Sequence, residues 1–272
     1  MGKKLSLREI QQTELEILKY FAKFCEKNSI RYYLSGGTLL GAIRHGGFIP
    51  WDDDIDVIMP RPDYNKFLVL CKNAIEKNEF NPNYRLSVNE FDPIARIMDM
   101  RTTVKMKAYS NRKNIGLWID IFPMDGVPSN PFILRIHYLI IRFLRDCLYF
   151  LSTTPNIKRR NKIVTLLQYI AIPFRPLLRI IGEKRIAICI NKIASIYDFE
   201  SSSLCAAIAS GYGLQEVNKR SEFVVQKKVD FEGSSFFTTA AYHSYLSKLY
   251  GDYLQLPPEN ERNKHHMEAW WI

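Results

Sequence analysis

The sequence predicts an α+β fold: a small mixed sheet flanked by helices, with a helical insertion late in the chain. Three observations carry this expectation. Up to about Asn78 the chain alternates helix, strand, helix, strand, helix. Several strand-like runs then follow in succession as far as Phe122. From Pro131 to about Ser210 the pattern turns helical, after which strand-like runs return.

Ser6-Leu7-Arg8-Glu9 is a capping box, and Ile10, Ile17, Leu18, Phe21 and Cys25 recur at helical spacing, which predicts a helix over about 7–27. Ile30 to Leu34 is β-branched and aromatic, a strand broken by Ser35-Gly36-Gly37. Thr38 to Ile43 is a short helix after the glycines, and Arg44 to Asp53 is a loop. Ile55 to Met59 is an apolar buried strand stopped by Pro60-Arg61-Pro62, with Asp63 capping a helix to about Asn78. Strands are expected at Tyr84–Asn89, Ile94–Asp99, Thr102–Lys107 and Gly116–Phe122. Phe223–Phe231 and Ser234–Thr239 pair as a hairpin across Glu232-Gly233, and a last helix runs from Thr239 to Tyr250 before a Pro-rich, then basic, tail. The domain reading is a catalytic core over 1–130, a basic and apolar helical insertion over 131–210, and a completing part over 211–272.

Composition narrows the class. A chain of 272 residues with 47% hydrophobic side chains can bury a sizeable core. It has no low-complexity tract or internal repeat, which argues against disorder and solenoids. The net charge of +10 favours anionic partners without choosing among nucleotides, nucleic acid, anionic glycans and phospholipid surfaces. Five widely spaced cysteines form no Cys-x-x-Cys and are expected as free thiols of a reducing cytosol. No stretch reaches the roughly 18 apolar residues of a membrane span. The segment 131–190 nonetheless combines long aliphatic runs with many Arg and Lys. It reads either as a face on an anionic bilayer or as a second core with a basic solvent side.

Chemistry concentrates in Asp54-Ile55-Asp56-Val57. In a strand, i and i+2 share a face, with Cα atoms about 6.5–7 Å apart. Two carboxylates so placed can grip one divalent cation or two, and hard oxygen ligands favour Mg²⁺ or Mn²⁺. The competing reading is a solvated acidic turn. Charge inside an apolar run is costly unless paired or metal-bound, and that argues for the metal. Asp120 in Leu117-Trp118-Ile119-Asp120-Ile121-Phe122 is a third carboxylate under the same cost, with Asp125 a weaker candidate. Ser35-Gly36-Gly37-Thr38 is either a tight turn or a place where backbone approaches a phosphate at a helix start. Arg44 suits phosphate, His45 suits phosphate or proton transfer, and Arg96 either reaches the phosphates or forms a salt bridge.

These residues together resemble the LicD family, phosphocholine transferases of bacterial surface glycans. The run from Gly36 to Val57, which includes Gly36-Gly37-Thr38-Leu39-Leu40-Gly41 and Ile49-Pro50-Trp51-Asp52-Asp53-Asp54-Ile55-Asp56, is similar to that family's signature almost throughout. Ile119-Asp120-Ile121-Phe122-Pro123-Met124-Asp125 resembles its second motif, and Tyr250-Gly251-Asp252-Tyr253-Leu254-Gln255-Leu256-Pro257-Pro258 its C-terminal motif. The resemblance implies a nucleotidyltransferase-like fold, shared with eukaryotic fukutin-related protein. It implies Asp54, Asp56 and Asp120 as catalytic metal ligands for two Mg²⁺ (or Mn²⁺) ions. Gly36, Gly37, Thr38, Arg44, His45, Asp53 and Arg96 are the expected substrate and nucleotide contacts. The implied reaction moves a phosphorylated alcohol from a nucleotide diphosphate donor such as CDP-choline to a hydroxyl of a cell-surface glycan or its lipid-linked precursor. It is expected in the cytoplasm or peripherally at the inner face of the membrane, without nucleic acid. The alternatives are a true nucleotidyltransferase releasing pyrophosphate and a non-catalytic protein binding anions or nucleic acid.

Overall fold

The structure, a computed structural model, describes residues 2–90, 92–105, 114–152, 175–210, 213–259, 262 and 267–272. Helix α1 (Leu7–Lys27) starts as the capping box requires: the Ser6 hydroxyl accepts from the Glu9 amide at 3.3 Å, and the Glu9 carboxylate accepts from the Ser6 amide at 2.8 Å. Strand β1 is only Tyr33–Leu34, and helix α2 (Gly36–His45) begins on the glycines themselves, two residues earlier than expected. Strand β2 (Asp56–Pro60) runs directly into α3 (Arg61–Glu76). Asp63 does not cap α3. It is buried in the first turn, where its carboxylate takes the Arg31 amide at 2.9 Å and the Arg31 guanidinium at 2.8 Å, tying the approach to β1 onto α3.

Strands β3 (Tyr84–Val88), β4 (Ala95–Asp99), β5 (Thr102–Lys105) and β6 (Leu117–Val127) follow. The sheet order is β1-β2-β6-β4-β3, with β2 and β6 parallel and the other neighbours antiparallel. The mixed sheet of an α+β protein is therefore present as expected. Strand β6 continues five residues beyond the predicted Phe122, through Pro123. Proline is tolerated there because β4 pairs only as far as Ile121 and β7 (Leu204–Ala206) takes over at Asp125, so Pro123 falls between two antiparallel ladders. β7 in turn pairs with β8 (Asn218–Lys219).

Between β6 and β7 lie α4 (Pro131–Ser152), α5 (Arg175–Ile181) and α6 (Glu183–Ala194). The helical expectation for 131–210 holds for these three but not for its end. Leu204–Ala206 extends the main sheet because an extended β6 offers it an edge. The helices gather around Ile141, Leu148, Ile186, Ile190 and Ala194, a hydrophobic cluster separate from the one under the sheet. A buried ion pair joins the two parts: Arg61 at the start of α3 grips Asp125 on β6 through Nε at 2.6 Å and Nη2 at 2.7 Å, while its Nη1 donates to Asn191 of α6. Asp125 is thus a structural partner of Arg61. Arg61→Met would leave the fully buried Asp125 charge unpaired, at a cost of about 3–5 kcal/mol. The melting temperature should drop by roughly 10 °C. A drop below about 2 °C in differential scanning calorimetry would remove the pair from this role.

Strands β9 (Gln226–Phe231) and β10 (Ser234–Thr239) form the expected hairpin, with Glu232 and Gly233 both at positive φ, the two-residue turn whose twist matches the strands. Helix α7 is Tyr242–Tyr250. Strand β11 (Glu268–Trp271), unforeseen in the basic tail, pairs with β5. All five cysteines are free thiols. No helix among the described residues is long and apolar enough to cross a membrane.

Candidate active site

The centre of the sheet sets three charged residues in one row. Asp56 on β2 pairs in register with Asp120 on β6, and Asp120 pairs with Arg96 on β4. Neighbouring strands lie about 4.8 Å apart, so register partners share a face within side-chain reach. The row is anchored from behind. The Thr38 hydroxyl accepts from the Asp56 amide at 2.8 Å, the Asp56 carbonyl accepts from the Ser35 amide at 3.2 Å, and the Ile55 carbonyl accepts from the Asp120 amide at 2.9 Å. Thr38, one of the expected substrate contacts, fixes the start of β2. Asp54 lies two residues before the strand, outside any regular element, and is half-buried.

The glycines explain how α2 approaches this row. Gly36 adopts φ +53°, and a Cβ there would stand 3.3 Å from an Asp56 carboxylate oxygen; at Gly37 it would stand 2.8 Å from an Asp52 carboxylate oxygen. In this structure the glycines therefore admit carboxylates against the first turn of α2. Gly36→Ala combines strain at positive φ with a tight contact on the Asp56 carboxylate. It should cost about 1–3 kcal/mol of stability and disturb Asp56 at the same time.

The carboxylates crowd one another. Asp56 is 6% exposed, and its carboxyl is pushed well above the usual range by burial first and then by the charges of Asp54, Asp120 and Asp52. Asp120 is also raised by burial, against the opposing pull of Arg96. Arg96 donates from Nε to Asp120 at 2.5 Å and from Nη2 to Asp92 at 2.9 Å, with its guanidinium 5.2 Å from the Trp118 ring centroid. Of its two expected roles, the structure shows the salt bridge. Among the described residues, no group of three or more His, Cys, Asp or Glu side chains is arranged to enclose a metal ion. Asp56 and Asp120 come together as expected, but Asp120 is engaged by Arg96.

Sequence reasoning missed Glu14. It is fully buried on α1, and neither carboxylate oxygen has a hydrogen-bond partner among the described residues. Burial raises it, reinforced by the charges of Asp54, Asp53, Asp120 and Asp52. One turn earlier, Gln11 donates to the Asp52 carbonyl at 2.9 Å, so this face of α1 lies on the acidic loop. The signal was present: Glu14 interrupts the apolar stripe Ile10, Ile17, Leu18. Asp53 is buried and accepts from the Met267 amide at 3.2 Å, which makes it a tie to the C-terminal segment.

A cavity of about 750 Å³ adjoins the row, lined by Gly37, Arg44, Trp51, Asp52, Tyr250 and Arg262 among others. Arg44 donates to the carbonyls of Tyr253 at 3.0 Å and Gln255 at 3.3 Å, tying α2 to the Tyr250–Pro258 segment that lines the same cavity. The Arg262 guanidinium sits 4.6 Å from the Trp51 ring centroid. His45 lies edge-on to Trp51, and burial and then Arg44 lower its pKa, which favours the neutral imidazole. Tyr245 receives the Gly36 amide at 3.4 Å and bonds to Glu216, whose carboxyl burial pushes up to about 7.

A mixed sheet carrying acidic residues on adjacent strands, with a glycine-started helix packed on them, fits the nucleotidyltransferase class of transferases. The family described as LicD/FKTN/FKRP, nucleotidyltransferase domain, matches residues 29–135. The chain is 34% identical over 275 aligned positions to the lipopolysaccharide cholinephosphotransferase LicD of Haemophilus influenzae, covering 99% of each chain. A shorter match, 50% identity over 42 residues, links 15% of the chain to 8% of the human ribitol 5-phosphate transferase FKRP. An uncharacterized protein of Rickettsia prowazekii, RP689, is 47% identical over 57 residues, 21% of this chain and 19% of that protein. The chain belongs to the LicD family and is a transferase of a substituted phosphate group.

Proposed function

We propose that the chain moves a phosphorylated alcohol, of the phosphocholine kind, from a CDP-linked donor to a hydroxyl of a cell-surface glycan or its lipid-linked precursor, with divalent metal at Asp54, Asp56 and Asp120. The observation that carries this reading is the row of Asp56 and Asp120 beside a cavity floored by Gly37 and Asp52, in a chain related along its whole length to a cholinephosphotransferase.

The donor set suits Mg²⁺ or Mn²⁺. The ligands are hard carboxylate oxygens, and their mutual repulsion in a buried place is what a cation relieves. Such an ion, when bound, would lower the pKa of the acceptor hydroxyl and neutralise the diphosphate. Arg96 holds Asp120 in place, and Thr38 holds Asp56. Arg44 and Arg262 supply positive charge on the cavity wall for a diphosphate. Trp51, Tyr250 and Tyr253 offer aromatic faces that suit a quaternary ammonium group once the Arg262 guanidinium, now over the Trp51 ring, turns to the diphosphate. In-line displacement by the acceptor hydroxyl would release the nucleoside monophosphate.

A screen of CDP-choline, CDP-ethanolamine, CDP-glycerol and UDP-sugars for nucleoside monophosphate release tests the reading. Turnover of a CDP-alcohol with Mg²⁺ supports it, and failure of every CDP-linked donor contradicts it. Trp51→Ala should raise KM for CDP-choline about tenfold, equivalent to about 1–2 kcal/mol of lost cation–π and stacking contact, with little change in kcat. A fall in kcat at unchanged KM would place Trp51 elsewhere in the mechanism.

A further inference from the structure

Helix α4 presents an apolar face that nothing among the described residues covers. Phe132, Ile133, Ile136, Leu139, Ile140 and Phe143 fall on one side at helical spacing, and Phe132 and Phe143 are 72% and 66% exposed. The opposite side of the same helix, with Ile141 and Leu148, is buried against α6. Arg135 and Arg142 are exposed beside the apolar stripe. On α5, which packs on α4, Ile180 is 76% exposed and stands next to the exposed Arg179. Singly exposed hydrophobic residues need no explanation, but a contiguous row of this kind does.

Charge identifies the occupant. The chain holds 38 Lys and Arg and 28 Asp and Glu; residues 131–196 contribute twelve of the former and two of the latter, so the rest of the chain carries 26 of each. The whole net charge of +10 therefore resides in the segment that bears the exposed apolar face. A second copy docked symmetrically would bring these excess cations together, which disfavours a dimer through this face. A nucleic acid would satisfy the cations and leave Phe132, Phe143 and Ile180 in water. An anionic bilayer interface satisfies both, because apolar side chains enter the acyl boundary while flanking cations meet headgroups.

We infer that the outer face of α4, with the adjoining end of α5, is a docking surface for anionic membrane, holding the protein peripherally on the bilayer. Flotation of the full chain with vesicles of phosphatidylcholine alone, and of phosphatidylcholine mixed with phosphatidylglycerol, tests this. Binding is expected to the mixed vesicles, weakening as salt rises. Reversing Arg135 and Arg142 together to Glu should lower partitioning by at least about tenfold. Phe132→Ser with Phe143→Ser should do the same, and both pairs should leave the thermal melt unchanged because these side chains are exposed. Absence of binding to the mixed vesicles overturns the inference. So does binding that both double variants retain, or a concentration-dependent dimer in gel filtration that the Phe132→Ser/Phe143→Ser variant disperses.

Discussion

Asp56→Asn should reduce kcat by three orders of magnitude or more while the protein melts at or above the wild-type temperature. The two halves of this expectation come from one arrangement. Asp56 is buried among like charges, a repulsion that a bound cation would relieve. Replacing its carboxylate by an amide of the same shape relieves the repulsion but removes a metal oxygen, and losses of that kind commonly reach about 10³-fold or more in kcat. Asp54→Asn should behave similarly. Asp120→Asn should differ in stability: it loses turnover and also breaks the 2.5 Å pair with Arg96, leaving a largely buried guanidinium partly unpaired at a cost of about 3 kcal/mol. Steady-state kinetics with calorimetry on the three variants reads both effects. An Asp56→Asn protein that keeps near wild-type turnover at saturating Mg²⁺, or one that fails to fold, would show that Asp56 is structural.

The second large effect concerns pH in the absence of divalent metal. Glu216 has a folded pKa of about 7, raised by burial against an ordinary value of 4.5. A carboxyl raised by folding favours the folded state in its protonated form. Its contribution is fully present below about pH 4.5 and is lost as pH climbs through about 7. The loss is on the order of 3 kcal/mol for this group. Glu14 and Asp56 are raised in the same direction and add to the loss at higher pH. The metal-free melting temperature should therefore fall between pH 4.5 and 7, and Glu216→Gln should flatten part of that slope. Adding Mg²⁺ at neutral pH should raise the melting temperature of the wild type and leave that of Asp56→Asn unchanged. A metal-free melting temperature that rises over this range would contradict the assignment of these buried acids.

What the sequence made legible has a physical pattern. The capping box of α1 and the Glu232-Gly233 hairpin were readable because both depend on residues a few positions apart. Asp54, Asp56 and Asp120 stood out because charge within apolar runs is costly, and the structure does set Asp56 and Asp120 side by side. Strands β7 and β11 were not readable. Each is short and has no pattern of its own, existing because a distant strand, β6 or β5, presents an edge. The same distance hid the partners of Asp63, Asp53 and Asp125: only tertiary structure places Arg31, Met267 and Arg61 against them. Glu14 was hidden for a different reason, since a carboxylate in an amphipathic stripe is ordinarily read as a residue at the stripe's edge.

The most direct test of the account follows both halves of a donor. CDP-choline labelled separately in the cytidine and the choline is incubated with the enzyme, Mg²⁺ and the lipid-linked glycan fraction of its own cells. The account predicts that CMP appears in step with choline label entering the glycan, that no free phosphocholine forms in step with it, and that chelation of Mg²⁺ stops the transfer. Transfer of the cytidine label to the acceptor, or choline transfer undiminished in Asp56→Asn or after chelation, would contradict it.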